Sequence, residues 1–89
     1  MDKQKKYRKE VFETVKAGDT LTLSNAHLYM ISSIKDYDPE LLNFREMDYY
    51  NLSLNDKCTG YLSYDEEREL LIVFSHKNTS PRVYVTEII

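Results

Sequence analysis

His27, Cys58 and His76 are the side chains of this sequence most suited to metal ligation or nucleophilic attack. Imidazole nitrogen and thiolate sulfur are the usual ligands of zinc, but zinc sites bring them in close pairs a few residues apart. Here each stands alone in its own segment, a spacing that predicts no metal site. Asp36 and Asp38 have the look of paired carboxylate ligands, yet Asp36-Tyr37-Asp38-Pro39-Glu40 lacks the glycine and the bidentate glutamate of a calcium loop. Glu66, Glu67 and Glu69 read as a solvated hairpin rather than a general acid–base pair. Ser24, Ser32, Ser33 and Ser80 sit in no glycine-flanked nucleophile elbow, and no glycine-rich loop offers a phosphate cradle. A catalytic pocket needs about 300 Å³ or more, which a core of this size can hardly spare. The sequence predicts no enzyme, no cofactor and no catalytic residue.

A different chemistry is concentrated in the middle of the chain. Five of the eight tyrosines (Tyr37, Tyr49, Tyr50, Tyr61 and Tyr64) lie between positions 36 and 69, among ten Asp or Glu and three Lys or Arg. Tyrosine offers rigid contact area with a polar tip, and a field of carboxylates draws in cationic surfaces. Residues 1–16 hold the opposite excess, six Lys or Arg against three acids, within a net charge of −3. The expected function is a small non-enzymatic regulatory domain, an inhibitor or adaptor, that docks a basic protein partner. The expected contact residues are Asp36, Tyr37, Asp38, Asp48, Tyr49, Tyr64, Asp65 and Glu66, with Tyr37 and Tyr49 as aromatic anchors.

The elements that must position these residues can be read from periodicity. Tyr7, Val11 and Val15, with Phe12, form an apolar stripe at helical spacing, predicting a helix over 3–17 that stops at Gly18. After Gly18 the period changes to two. Strands are predicted over 20–24, 27–35, 41–47, 58–64, 70–75 and from Val83 onward, with 49–57 ambiguous between strand and turn. On these phases Val11, Phe12, Val15, Leu21, Leu23, Met30, Ile34, Phe44, Leu62, Ile72, Phe74 and Val85 are the expected core. Short connections favour antiparallel neighbours, so residues 19–89 read as a meander. The predicted fold is a single α+β domain over 1–89. In it an N-terminal helix packs on one face or open end of a five- to six-stranded curved antiparallel sheet or small SH3-like barrel. Apolar side chains on both faces of Leu70–Phe74, with Tyr84 and Ile88-Ile89, also suggest a homodimer.

That layout resembles Sm-like and other SH3-like small barrels, several of which bind RNA. The resemblance implies an alternative function, nucleic-acid binding through the basic N-terminal helix (Lys3, Lys5, Lys6, Arg8 and Lys9). The sequence departs from the Sm-like pattern, which places a glycine inside the second strand; here no glycine occurs between Gly18 and Gly60. Val83-Tyr84-Val85 likewise lacks the basic or polar residue beside glycine of the second motif. The tyrosines suited to base stacking lie among carboxylates, which repel phosphate, so nucleic acid ranks below protein.

Eighty-nine residues make one small core. A lone cysteine allows no internal disulfide and points to a reducing, cytoplasmic setting. The longest apolar run, Leu70 to Phe74, is far short of the roughly 20 residues that span a bilayer, and the first residues carry no signal-peptide pattern. No membrane association is expected.

Overall fold

The computed structural model describes residues 6–75 and 83–89. One helix and six strands follow in chain order: α1 (Lys9–Thr14), β1 (Thr20–Leu23), β2 (Leu28–Ile34), β3 (Phe44–Asn51), β4 (Asp56–Asp65), β5 (Leu70–Ser75) and β6 (Val83–Ile88). Each strand pairs antiparallel with the next, and β1 pairs with β6 to close the barrel. The seam sets Leu21 opposite Ile88 and Leu23 opposite Val85, with a register shift between Thr22 and Leu23. The backbone groups of Thr20 and Ile89 exchange hydrogen bonds of 3.0 and 2.8 Å beside it. Closure satisfies the edge amides that an open meander would expose.

The small antiparallel barrel expected from strand spacing is present. The α+β description is corrected, because the helix shrinks from the expected 3–17 to six residues. Arg8 at its N-cap gives no side-chain cap, and Val15 leaves the helix with ψ 135°. Extended backbone on either side lets Tyr7, Phe12 and Val15 all turn inward, where they are buried. Tertiary burial outweighs the helical stripe here, as expected for a segment too short to hold helix alone. Gly18, at φ 97°, serves the entry into β1 rather than the helix end; its N–H donates to the Ile31 carbonyl at 2.8 Å.

Leu21, Leu23, Leu62 and Val85 point inward as their alternation predicts, while Val11 and Ile34 pack partly buried against the core. Two expected core residues are corrected outright: Met30 is 38% exposed and Phe44 45% exposed. In β2 it is Tyr29 and Ile31 that are buried, and in β3 Arg45, Met47, Tyr49 and Asn51. In β5, Leu71 and Val73 face the interior, leaving Ile72 and Phe74 half-buried on the outer wall. Each of these strands carries apolar side chains on both faces, so alternation alone cannot fix its phase, and a one-residue slip exchanges the two faces.

Tyr7, Phe12, Tyr29, Tyr49 and Tyr64 share the interior with aliphatic side chains. Tyr29 and Tyr49 stack at 4.6 Å between centroids, with 24° between their planes. At Gly60 the walls approach so closely that a Cβ would collide with the backbone carbonyl of Phe74 on the neighbouring strand. That glycine is required by space rather than by a left-handed turn.

Candidate functional site

The helix closes one open end of the barrel. Phe12, fully buried, lies between Tyr64, stacked at 5.9 Å, and Tyr37, edge-on at 6.0 Å. The Tyr64 hydroxyl donates to the Tyr7 carbonyl at 2.7 Å, and the Tyr7 N–H donates to the Glu69 carbonyl at 2.8 Å. The plug therefore locks onto the 66–69 turn on one side and the 35–43 loop on the other. Lys9 bridges these two acidic segments on the surface, with Nζ 3.9 Å from Glu66 Oε2 and 5.6 Å from the Tyr37 ring centre.

This geometry gathers five of the eight expected contact residues, Asp36, Tyr37, Asp38, Asp65 and Glu66, at the plugged end. Their carboxylates are not equivalent. Asp38 Oδ1 accepts the Glu40 N–H at 2.9 Å, and Asp65 Oδ1 accepts the N–H groups of Glu67 and Arg68 at 3.0 and 3.2 Å. Both act as local turn formers, because a short acidic side chain can satisfy backbone two or three residues on. Asp36 and Glu66 are exposed. Arg45, one of the three cations of the acidic stretch, is only 3% exposed and so presents no charge to a partner.

The other three expected residues lie elsewhere. Asp48 is exposed on the outer wall of β3, where its Oδ2 accepts from Ser33 Oγ at 3.2 Å. Tyr49 is 2% exposed inside the barrel and Tyr64 6% exposed under the plug, so neither ring is offered to solvent. Adjacent acids suggested surface positions for both, but inward phase in β3 and β4 places them in the core. Burial pushes the Tyr49 phenol up to about 12, against a lowering by the Ser75 hydroxyl. Burial likewise raises Tyr64, with the Glu69 and Glu66 charges adding to it.

Sequence reasoning missed the apolar ledge beside the acidic loop. Residues 41–47 were expected as a strand with Leu42 and Phe44 on one side and Phe44 in the core. Instead β3 begins at Phe44, and the preceding residues turn, with the Leu41 N–H donating to Asp38 and the Leu42 N–H to Pro39. Leu41 is 52% and Leu42 65% exposed. Leu42 has φ 55°, a left-handed conformation that costs a bulky residue about 1–2 kcal/mol. Phe44 continues the ledge onto the outer wall, where it meets Tyr61 and Phe74 at 6.2 and 6.0 Å. Pro39 and Asn43 were the available signals for a turn. Three of the eight residues suspected of forming a dimer face lie inside: Leu70, Leu71 and Val73 are buried, while Ile72, Phe74, Tyr84 and Ile88 are half-buried and Ile89 is exposed.

The basic cluster proposed for nucleic acid divides. Lys6 and Arg8 are exposed, Lys9 stands between Glu66 and Tyr37, and Lys3 and Lys5 lie outside the described residues. Among the described residues no three His, Cys, Asp or Glu gather as a metal site; His76 is not among them. No described helix is long and apolar enough to cross a membrane. Comparisons with known protein families, curated proteins and solved structures found no match.

Proposed function

We propose that the protein is a small cytoplasmic, non-enzymatic docking domain, an inhibitor or adaptor. Its plugged end would receive a basic, partly apolar segment of a protein partner. The observation that carries this reading is the placement of the acidic loop and the acidic turn on one end, joined through Lys9, with Leu41, Leu42 and Phe44 exposed beside them. Carboxylates would draw in the partner's Lys and Arg, while the leucines and Phe44 would accept its apolar side chains. Tyr37 would be the aromatic anchor, because its ring is half-exposed and already braced on Phe12.

A synthetic peptide of alternating Lys and Leu tests the reading in a stopped-flow binding assay. Association should slow as added salt shortens the Debye length below about 8–10 Å. Asp36→Lys with Asp38→Lys should slow it further, and Leu42→Ser or Tyr37→Ala should speed dissociation. Binding that ignores all three changes would overturn the proposal. If nucleic acid is the partner instead, a gel shift will appear that is abolished by Lys5, Lys6 and Lys9 substitutions and strengthened by the acid-to-lysine changes.

A further inference from the structure

A second set of exposed apolar side chains lies on the outer side of β2 and the β3–β4 turn: Leu28, Met30, Leu52 and Leu54, between 37% and 63% exposed. The Leu52 N–H donates to the Leu28 carbonyl at 2.8 Å, and the Leu28 N–H donates to Ser53 Oγ at 3.0 Å, which holds the two leucines side by side. Met30 stands opposite Tyr50 in register. Below this rim lies a groove of about 720 Å³ lined by Met30, Ser32, Asp48, Tyr50, Lys57 and Thr59, with Tyr49 and Cys58 beneath. Its concavity has a local cause. The β2–β3 register shifts between Ile31 and Ser33, and a bulge of this kind bends the strand that carries it. Ser32 Oγ donates to the Asp48 carbonyl at 3.2 Å across the bulge, and the Tyr50 hydroxyl donates to Asn55 Oδ1 at 2.8 Å, fixing that ring as a wall.

The groove is flanked by opposite charges. Asp48 faces Thr59 and Tyr50 faces Lys57 across β3 and β4, so Asp48 and Lys57 stand on a diagonal, where neighbours are about 7–8 Å apart. Among the described residues neither takes part in an ion pair. A purely cationic ligand would meet Lys57, and a purely anionic one would meet Asp48. A ligand with both signs at its ends and an apolar middle satisfies the whole groove. Two or three extended residues span about 7–11 Å at 3.3–3.6 Å each, which matches the diagonal, and the volume falls within the usual range for small-ligand sites of about 300–1,000 Å³.

We propose that this groove binds a short free peptide of two or three residues. Its amine meets Asp48, its carboxylate meets Lys57, and its apolar side chain lies between Met30 and Tyr50. The site is on a different wall from the plugged end and stands independently of the docking surface there.

The test is an amide chemical-shift titration of the full chain with the tripeptide Ala-Leu-Ala at millimolar concentration. The peptide is used with free ends, N-acetylated, C-amidated and doubly capped. Shifts should concentrate at residues 30–32, 48–50 and 57–59. Capping either end should weaken binding about tenfold. Asp48→Asn should erase the difference between free and acetylated peptide, and Lys57→Gln the difference between free and amidated peptide. Both residues are exposed, so a well-dispersed spectrum will establish that the variants fold. Asp36→Lys with Asp38→Lys should leave the titration unchanged. No shifts at saturation, shifts elsewhere on the barrel, or equal binding of the doubly capped peptide would each overturn the proposal.

Discussion

Arg45 reaches from β3 to the helix that plugs the barrel, donating from Nη1 to the Phe12 carbonyl at 2.7 Å across 33 residues of sequence. Its Nε donates to the Lys35 carbonyl at 2.8 Å, so one buried guanidinium ties the plug to the exit of β2. Burial lowers its pKa below the ordinary guanidinium value, and the nearby Asp36 charge opposes that shift. Backbone carbonyls, not a carboxylate, take its hydrogen bonds. The five donors of a guanidinium suit that task in a way a lysine ammonium does not.

Replacing Arg45 by leucine should therefore strand the buried Phe12 carbonyl and deprive the part-buried Lys35 carbonyl of its donor. Stability to urea should fall by about 2–4 kcal/mol, since each hydrogen bond from a charged donor contributes about 1.5–3 kcal/mol and stranding a buried acceptor costs about 1–3. Arg45→Lys should recover only part of the loss. An unchanged midpoint would remove Arg45 as the tie.

The two glycines should fail for different reasons. Gly60→Ala meets unyielding backbone on β5 and should cost more than the roughly 1–3 kcal/mol of ordinary overpacking. Gly18→Ala meets no atom within 4 Å but must adopt φ 97°, for about 1–2 kcal/mol. Thermal unfolding of the two variants checks the order.

Alkaline pH should loosen the barrel. The Tyr49 pKa rises from the ordinary 10.0 to about 12 on burial, while the unfolded chain ionises near 10.0. Its contribution is complete below pH 10, because both states then carry the proton. Above that the unfolded state releases its proton first, so the contribution falls as pH rises from about 10 to about 12. Tyr7 and Tyr29, raised in the same direction by burial, add to the slope. Absorbance at alkaline pH should show late-ionising tyrosines, and Tyr49→Phe should flatten the stability profile.

The inverted phase of β2 gives a direct comparison. Ile31→Ala should cost about 2–5 kcal/mol, as large-to-small changes in a core do. Met30→Ala, on the outer wall, should stay within about 0.5 kcal/mol. Equal losses would mean that the strand faces the other way.

Antiparallel order and a count of five or six strands were legible from period and connection length; whether the N-terminal segment sits on a face or at an open end was not. Leu21 and Leu23 announced β1 because their neighbours are threonines, leaving one apolar face. Met30 and Tyr29, or Ile72 and Leu71, offer two apolar faces, and only pairing across the closed sheet decides between them. The acidic loop at Asp36–Asp38 and the turn at Asp65–Glu66 were legible as surface, since proline and charge clusters exclude them from a core. Tyr49 and Tyr64 were not, because a charged neighbour in a strand points the opposite way and carries no information about the ring beside it. Leu42 was missed because a leucine before an apolar strand reads as part of it; its left-handed backbone leaves no trace in residue type.

The seam between β1 and β6 separates this barrel's folding from its architecture. Five of its six pairings are between consecutive strands and close short loops, but Leu21 and Ile88 come from opposite ends of the chain. The entropy of bringing them together must be met before the seam's hydrogen bonds form, which favours a late step in folding. A sheet that had not yet closed would leave β1 and β6 as bare edges, able to pair with another molecule in the same state. Refolding yield should therefore fall as protein concentration rises, and weakening the Thr20–Ile89 latch should steepen that fall.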